Sequence, residues 1–202
     1  MTSFASFKEL IEYNLKFLNG NLSETFYHGG PVDPETVPLL GKLKSINSFG
    51  FFTMEGQPSL CDDPKFVSNT WTINGKIQGN WWYKSEQKGY LAGFIEQSSN
   101  SKNLIKYLLQ NDKVFINISR KDGGFFTNFP GTYNVTREST SKSKDKGWSE
   151  WELYTNIQNE HRFDDFDLKI FKDCLYIQIC VKKYCEDSLE DILLDFYKKS
   201  TN

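Results

Sequence analysis

Histidine and arginine are scarce in this chain. It holds only His28 and His161, and only Arg120, Arg137 and Arg162. A zinc centre needs a tight set of His and Cys ligands, and Cys61, Cys174, Cys180 and Cys185 form no C-x-x-C pair. His161 stands beside Asp164, Asp165 and Asp167, but without a helical zinc spacing or a regular calcium loop, so that stretch reads as a solvated acidic loop. No metal and no cofactor are expected. Cys174 and Cys180 are spaced for one face of a strand, where they cannot bridge each other along it. The cysteines read as small buried thiols in a reducing compartment, and no disulfides are expected. There is no G-x-S-x-G elbow, no kinase signature set and no dinucleotide fingerprint. An enzyme would have to work through His28, His161 or carboxylates alone. No apolar run approaches the roughly 20 residues that span a bilayer. The N-terminal stretch carries acidic and polar residues where a secretory signal has a continuous apolar region. A cytoplasmic protein with no membrane partner is expected, and the sequons at Asn21, Asn117 and Asn134 are then chance matches.

What is present is aromatic. Hydrophobic residues make up 38 %, a low share, and the 16 % of Phe, Trp and Tyr offsets it because each buried ring removes much apolar surface from water. With 202 residues the chain can bury a core without staples, as one domain spanning 1–202. The formal charge of −2 gives no global field toward DNA or acidic membranes. Nucleic-acid binding would therefore need a local basic patch or an aromatic platform. Abundant Lys, Asn, Ile and Phe with little Arg resembles the coding style of AT-rich genomes, large DNA viruses among them. A viral source would place the protein in the host cytoplasm.

Periodicity sets the elements. Phe4, Phe7, Ile11, Leu15 and Leu18 recur at helical spacing over 4–18, with Gly20 as C-terminal cap. A second helix is predicted over 37–47, with Thr36 as its cap and Pro38 in its first turn. Strands are predicted at 49–53, 70–73, 81–84, 89–95, 113–119, 125–129, 133–138 and around 175–181. Asn74-Gly75 is a hairpin turn. Short helices are predicted at 103–110 and after Ser188, which with Asp191 forms a capping box. Residues 139–147 hold no apolar side chain and read as a flexible loop. The order suits an α+β fold, a single mainly antiparallel sheet with helices packed on one face.

From His28 the chain reads HGGPVDPETVPLLGKLKSINSFGFFTMEGQPS. Its Gly29, Gly30, Pro31, Asp33, Glu35, Thr36, Asn47, Gly50, Phe51, Thr53, Gln57 and Pro58 resemble the signature of an uncharacterised domain family found mostly in actinobacteria. That signature is a Gly-Gly-Pro turn, Asp-x-Glu-Thr, an amphipathic helix ending in Asn, Gly-Phe-x-Thr and Gln-Pro. The QKGYLAGFI stretch from Gln87 is similar to the family's next strand, so the likeness covers about 28–97. Ser59 stands where the family usually has Gly, and 100–202 has no counterpart in it. The resemblance implies an α+β fold with a helix feeding a strand, and no reaction.

The candidate site residues each carry two readings. Gly29 and Gly30 before a helix can present N–H groups to an anion, with His28 beside them, or simply form a turn that needs glycine. Asp33 and Glu35 can serve as acid–base groups, or as first-turn acids favoured by the helix dipole. Gln57 ends a strand, where it can read a base edge or shape a turn. Trp71, Trp81 and Trp82 are the densest aromatics, and the neighbouring positions 81 and 82 fall on opposite faces of a strand. One of them is expected on an open surface, suited to stacking on a base, with Lys84 and Arg120 as phosphate contacts. The other reading is core or interface packing. The expected function is a non-enzymatic binding module for a nucleobase-containing ligand, a nucleotide or a modified RNA end, held on an aromatic surface. The alternatives are a protein-interaction subunit whose exposed aromatics anchor a protein partner, and a small metal-independent enzyme at the Gly-Gly turn using His28 with Asp33 or Glu35.

Overall fold

The computed structural model describes residues 4–34, 36–58, 66–73, 76–87, 89–120, 125–128, 136–139, 168–171, 173–183 and 188–200, with the segments at 66–73, 76–87 and 136–139 described by their main chain. Glu35, Cys61, Cys185, His161 with its aspartates, and the expected loop after Ser139 lie outside that description.

Helix α1 spans Phe7–Leu18. It starts later than its apolar period suggests because Ser6 takes the capping position, its Oγ accepting from Glu9 N at 3.2 Å. Phe4 is left outside the helix and packs its ring on Tyr13 and Phe26 instead. The helix ends as expected, with Asn21 N donating to Lys16 O at 2.9 Å across Gly20. Helix α2 spans Leu40–Ser48, and a 3-10 turn over Val37–Leu39 that holds Pro38 precedes it. Thr36 is not the side-chain cap that was expected. It already has helical φ and ψ, and its hydroxyl donates to Gly56 O at 3.3 Å.

Strand β1 follows at Phe51–Gln57, then β2 at Phe66–Ile73, β3 at Lys76–Gln87 and β4 at Tyr90–Glu96. Helix α3 runs Ser99–Gln110, one turn longer than expected, because the serine run at its start is a capping box between Ser98 and Ser101. Strands β5 (Val114–Arg120), β6 (Phe125–Thr127), β7 (Thr136–Ser139) and β8 (Cys174–Val181) and helix α4 (Leu189–Ser200) complete the order. At the start of α4 the expected Ser188–Asp191 box does not form. Ser188 Oγ donates to Glu190 at 2.8 Å and accepts from Lys42 Nζ at 3.1 Å.

The fold is α+β, as expected. A five-stranded antiparallel sheet has the order β1-β4-β8-β5-β6, and β2, β3 and β7 form a separate three-stranded ladder. Leu91, Ile95, Ile116, Ile177 and Ile179 on one sheet face pack with Leu43 and Ile46 of α2, Leu104 and Leu108 of α3, and Leu189, Leu193 and Phe196 of α4. On the other face Phe52, Tyr90, Phe94 and Tyr176 meet Phe7, Leu10 and Ile11 of α1, together with Phe26. Phe17 and Leu18 at the far end of α1 belong to the first cluster. Helix α1 therefore crosses over the β1 edge of the sheet. Cys174 and Cys180 are free thiols, both packed on the second face. Burial pushes the Cys174 thiol up to about 12, so it stays protonated. No described helix is long and apolar enough to cross a membrane.

Thr53 and Gly93 are register partners, and a bulge follows between Thr53 and Glu55. A Cβ at Gly93 would stand 2.0 Å from Phe52 O. No side chain fits there, and the obstacle is main chain, which cannot swing aside. We expect Gly93→Ala to destabilise the fold by roughly 3 kcal/mol or more, the upper end of overpacking costs. A urea titration of the two proteins measures it, and an unchanged midpoint would refute the close approach.

Candidate functional site

The described cleft lies at the open edge of β1. There the main chain of Thr53 turns away from β4. Its N–H donates to Asn47 Oδ1 at 3.3 Å and its carbonyl accepts from Asn14 Nδ2 at 2.8 Å. Both amides are fully buried, at 0 % exposure. Asn47 spends all its capacity: Nδ2 donates to Leu43 O at 2.8 Å and to Thr53 Oγ1 at 2.7 Å, and Oδ1 also accepts from Asn14 Nδ2 at 2.8 Å. The Tyr27 hydroxyl donates to Asn14 Oδ1 and closes the network. Asn47 and Thr53 are two of the signature residues, and their six-residue spacing is what lets the last turn of α2 reach the edge of β1.

Around this network is a cleft of about 200 Å³. Phe17, Leu18 and Leu43 form its apolar side, Tyr27 and Tyr90 supply rings with hydroxyls, and His28, Asp33, Thr36 and Glu55 supply the polar groups. His28 is held by the turn around it. Its N–H donates to Thr25 Oγ1 at 2.9 Å, its carbonyl accepts from Thr25 N at 2.8 Å, and Nε2 donates to Pro31 O at 3.0 Å. A carbonyl only accepts, so Nε2 carries a proton in this contact. Gly30 sits at φ +88°, so this turn needs glycine there, and Gly29 is exposed beside it.

Burial keeps the cleft tyrosines neutral. Tyr27 is raised above the ordinary phenol value, mainly by burial. Behind it, Tyr90 is raised well above that value by burial first, then by Tyr176 and Glu55, and Tyr176 by burial first and then by Glu55, against its hydrogen bonds with Tyr90 and Gln178. A phenol held neutral supplies one donor hydrogen and an acceptor oxygen, and no base.

The expected site residues separate into two groups. His28 and Asp33 come together at the cleft, Gly29 and Gly30 stand between them in the chain without lining it, and Gln57 follows Gly56 of the lining along β1. Trp71, Trp81, Trp82 and Lys84 belong to the β2–β3 ladder, where Trp81 pairs with Asn69, Trp82 with Ser68 and Trp71 with Gly79. Main-chain alternation puts positions 71 and 81 on one face of that ladder and 82 on the other. Their side chains, and that of Gln57, lie outside the described part. Arg120 is at the end of β5, in register with Leu175, Ile95 and Phe51 across the sheet. It is thus three strands from β1 and level with the strand's start, away from Gly56 and the cleft.

Sequence reading missed Asn14, Tyr27, Glu55 and Tyr90. Asn14 had a signal, a single amide in the middle of the apolar stripe of α1. Glu55 had none, because the bulge that places it is invisible to a two-residue period.

The fold and cleft define an α+β protein with a ring-sized, mixed polar and aromatic recess at a sheet edge. Within that class the chain belongs to a family described as a domain of unknown function (DUF6919), matched over residues 3–179. The match reaches well past the 28–97 segment and takes in β5, β6, β7 and most of β8. No curated protein matches the chain. Among the described residues no group of His, Cys, Asp and Glu is arranged to hold a metal ion.

Two outcomes follow. Asn47→Ala strips partners from Leu43, Thr53 and Asn14 at once, and we expect a loss of roughly 2–4 kcal/mol in a urea titration. A loss below ~0.5 kcal/mol would show that the edge does not depend on this amide. The second concerns alkali. In the unfolded chain the tyrosines lose their protons near pH 10, whereas native Tyr27, Tyr90 and Tyr176 keep theirs. Their contribution is fully present below pH 10 and is lost as pH rises above it, by about 1.4 kcal/mol per pH unit for each such tyrosine. Unfolding free energies measured from pH 8 to pH 11 should fall steeply beyond 10, and a flat profile would contradict the buried neutral phenols.

Proposed function

We propose that this protein is a non-enzymatic binding module for a nucleobase-containing ligand, a nucleotide or a modified RNA end, working in the cytoplasm, and that the base enters the cleft at the β1 edge. One observation carries the reading. Asp33, Thr36 and Thr53 of the signature, with His28 and Gly56 from the same segment, line one recess together with the rings of Phe17, Tyr27 and Tyr90. Its volume of about 200 Å³ suits one planar ring system and falls below the ~300–1,000 Å³ of sites that enclose drug-sized ligands. The sugar and phosphate would then stay outside, beside the Gly29–Gly30 turn, with Gln57 at the rim. Trp71, Trp81, Trp82 and Lys84 offer a second stacking surface for a longer ligand, and Arg120 would meet only a chain that extends across the sheet.

The enzyme alternative is weakened by the chemistry of the recess. Tyr27 and Tyr90 are held neutral and supply no base, so acid–base work would fall to His28, tied to Pro31 O through Nε2, with Asp33. For the interaction subunit, Val37 (53 % exposed), Phe126 (44 %), Leu109 (43 %) and Phe49 (39 %) are the large exposed apolar residues among those described, and they are scattered over the 3-10 turn, β6, α3 and the link from α2 to β1. Single exposed apolar residues are ordinary, so they favour no particular partner.

A thermal-shift panel of nucleosides, nucleotides, capped RNA ends and short single strands at fixed low salt tests the proposal. A ligand at a hundredfold excess over its dissociation constant stabilises the native state by about 2.7 kcal/mol, a shift of several degrees. We expect a shift with one nucleobase class, retained in Trp81→Ala and Trp82→Ala if the cleft is the site and lost in one of them if the ladder is. No shift across the panel would sink the proposal and turn attention to a protein partner.

A further inference from the structure

A buried polar row crosses the sheet on the face that carries Tyr90. Glu55, Ala92, Gln178, Asn117 and Thr127 are successive register partners through all five strands. Along the row Asn117 Nδ2 donates to Gln178 Oε1 at 2.6 Å, and Gln178 Nε2 donates to the Tyr90 hydroxyl oxygen at 3.0 Å. The Tyr90 hydroxyl in turn bonds Glu55. Gln178 already fills an acceptor position on that oxygen, so the single phenol hydrogen goes to the Glu55 carboxylate. The row therefore runs in one direction, amide to amide to phenol to carboxylate. Its direction explains an oddity at the far end, where the buried Asn117 Oδ1 has no partner. Turning that amide round would set its oxygen against the oxygen of Gln178, so the orphan is the lesser cost.

The row ends on a carboxylate that lines the cleft and is exposed at its mouth. A carboxylate accepts through two oxygens and donates nothing. A hydrogen bond from Tyr90 orients it, and its exposure at the mouth makes it accessible to a ligand. Asp33, also on the lining, adds a second acceptor-only group.

We propose that Glu55 selects a base whose edge presents two adjacent N–H donors, and that Tyr90 and Gln178 are positioning residues that aim it. Guanine has that edge, with its ring N–H beside an exocyclic amine. Adenine and cytosine pair a donor with an acceptor, and uracil flanks its donor with carbonyls, so each sets a lone pair against the carboxylate. A buried polar group left against the wrong partner discriminates more strongly than a change of shape does. This inference rests on the reading of the cleft as a nucleobase site.

Titration with guanosine, inosine and adenosine separates the two claims, because inosine is guanosine without the exocyclic amine. The protein should bind guanosine more tightly than inosine, and inosine more tightly than adenosine. Glu55→Gln, at an exposed position that the fold tolerates, should weaken guanosine roughly ten- to a hundredfold, the loss of a charged hydrogen bond, and close the gap to inosine. Tyr90→Phe should narrow the guanosine-to-adenosine ratio even where it also lowers the melting point. Equal binding of the three nucleosides, or a gap that survives Glu55→Gln, would overturn the selection by Glu55 while leaving the cleft as a base site. A ratio that Tyr90→Phe leaves untouched would overturn the positioning role alone. Binding of none of the three would overturn this inference together with the reading beneath it.

Discussion

The main chain of Thr53 faces the open edge of the sheet, where neither its N–H nor its carbonyl has a strand to pair with. Asn47 and Asn14 take both groups, and the cleft exists because they do. An edge strand normally avoids this exposure by being short, charged or covered. Here two helices cover it with amide side chains in place of another backbone. The amides bind each other and Tyr27 as well, so α1, α2, β1 and the segment before the Gly-Gly turn are tied at one point. Each amide in this network has a partner for its buried groups, which is the condition under which a buried polar cluster specifies an arrangement rather than loosening it.

The bulge after Thr53 gives that edge its chemistry. Without it, strict alternation would place Glu55 on the same face as Thr53, under the helices. With Met54 as the extra residue, Glu55 pairs with Ala92 and comes to the face of Tyr90 and Tyr176. Gly56 then falls opposite Leu91, on the helix face, where its lack of a side chain leaves room against Leu43. Two adjacent residues thus serve the two faces of one cleft, and helix α1, which crosses the edge, closes it from both sides.

Much of the scaffold was legible in the sequence, for a physical reason. Apolar periods report burial, and the stripe of α1, the alternation of β5 and the mostly apolar β8, buried on both faces, lie in segments long enough for the period to show. Legibility failed where a polar side chain chose between partners. Thr36 looked like a cap but bonds Gly56 O. Ser188 looked like a capping box but serves Glu190 and Lys42. The helix expected from 103 begins at Ser99, because Ser98 and Ser101 cap it. In each case the competing bond comes from local geometry or from an element distant in sequence, and period carries no trace of it. For the site, the signature residues marked the right segment, because Asn47 and Thr53 are there for the edge and Gly30 for its φ. The tyrosines and Glu55 that finish the cleft depend on tertiary folding and the bulge, so no spacing announced them.

The charge at the cleft limits what it can recognise. Among the described residues the lining carries Asp33 and Glu55 and neither an arginine nor a lysine. Phosphate is repelled by such a mouth, so little of the affinity can come from the charged backbone that dominates most nucleic-acid binding. A ligand of the proposed kind would be read through its hydrogen-bond donors and its flat faces, with its phosphate turned outward. That separates the cleft from the Trp-rich β2–β3 ladder, whose Lys84 has the sign a phosphate needs. Under the proposed reading the recess would read an edge and the ladder would stack a neighbour, and the two follow each other in the chain, since β1 ends at Gln57 and β2 begins at Phe66.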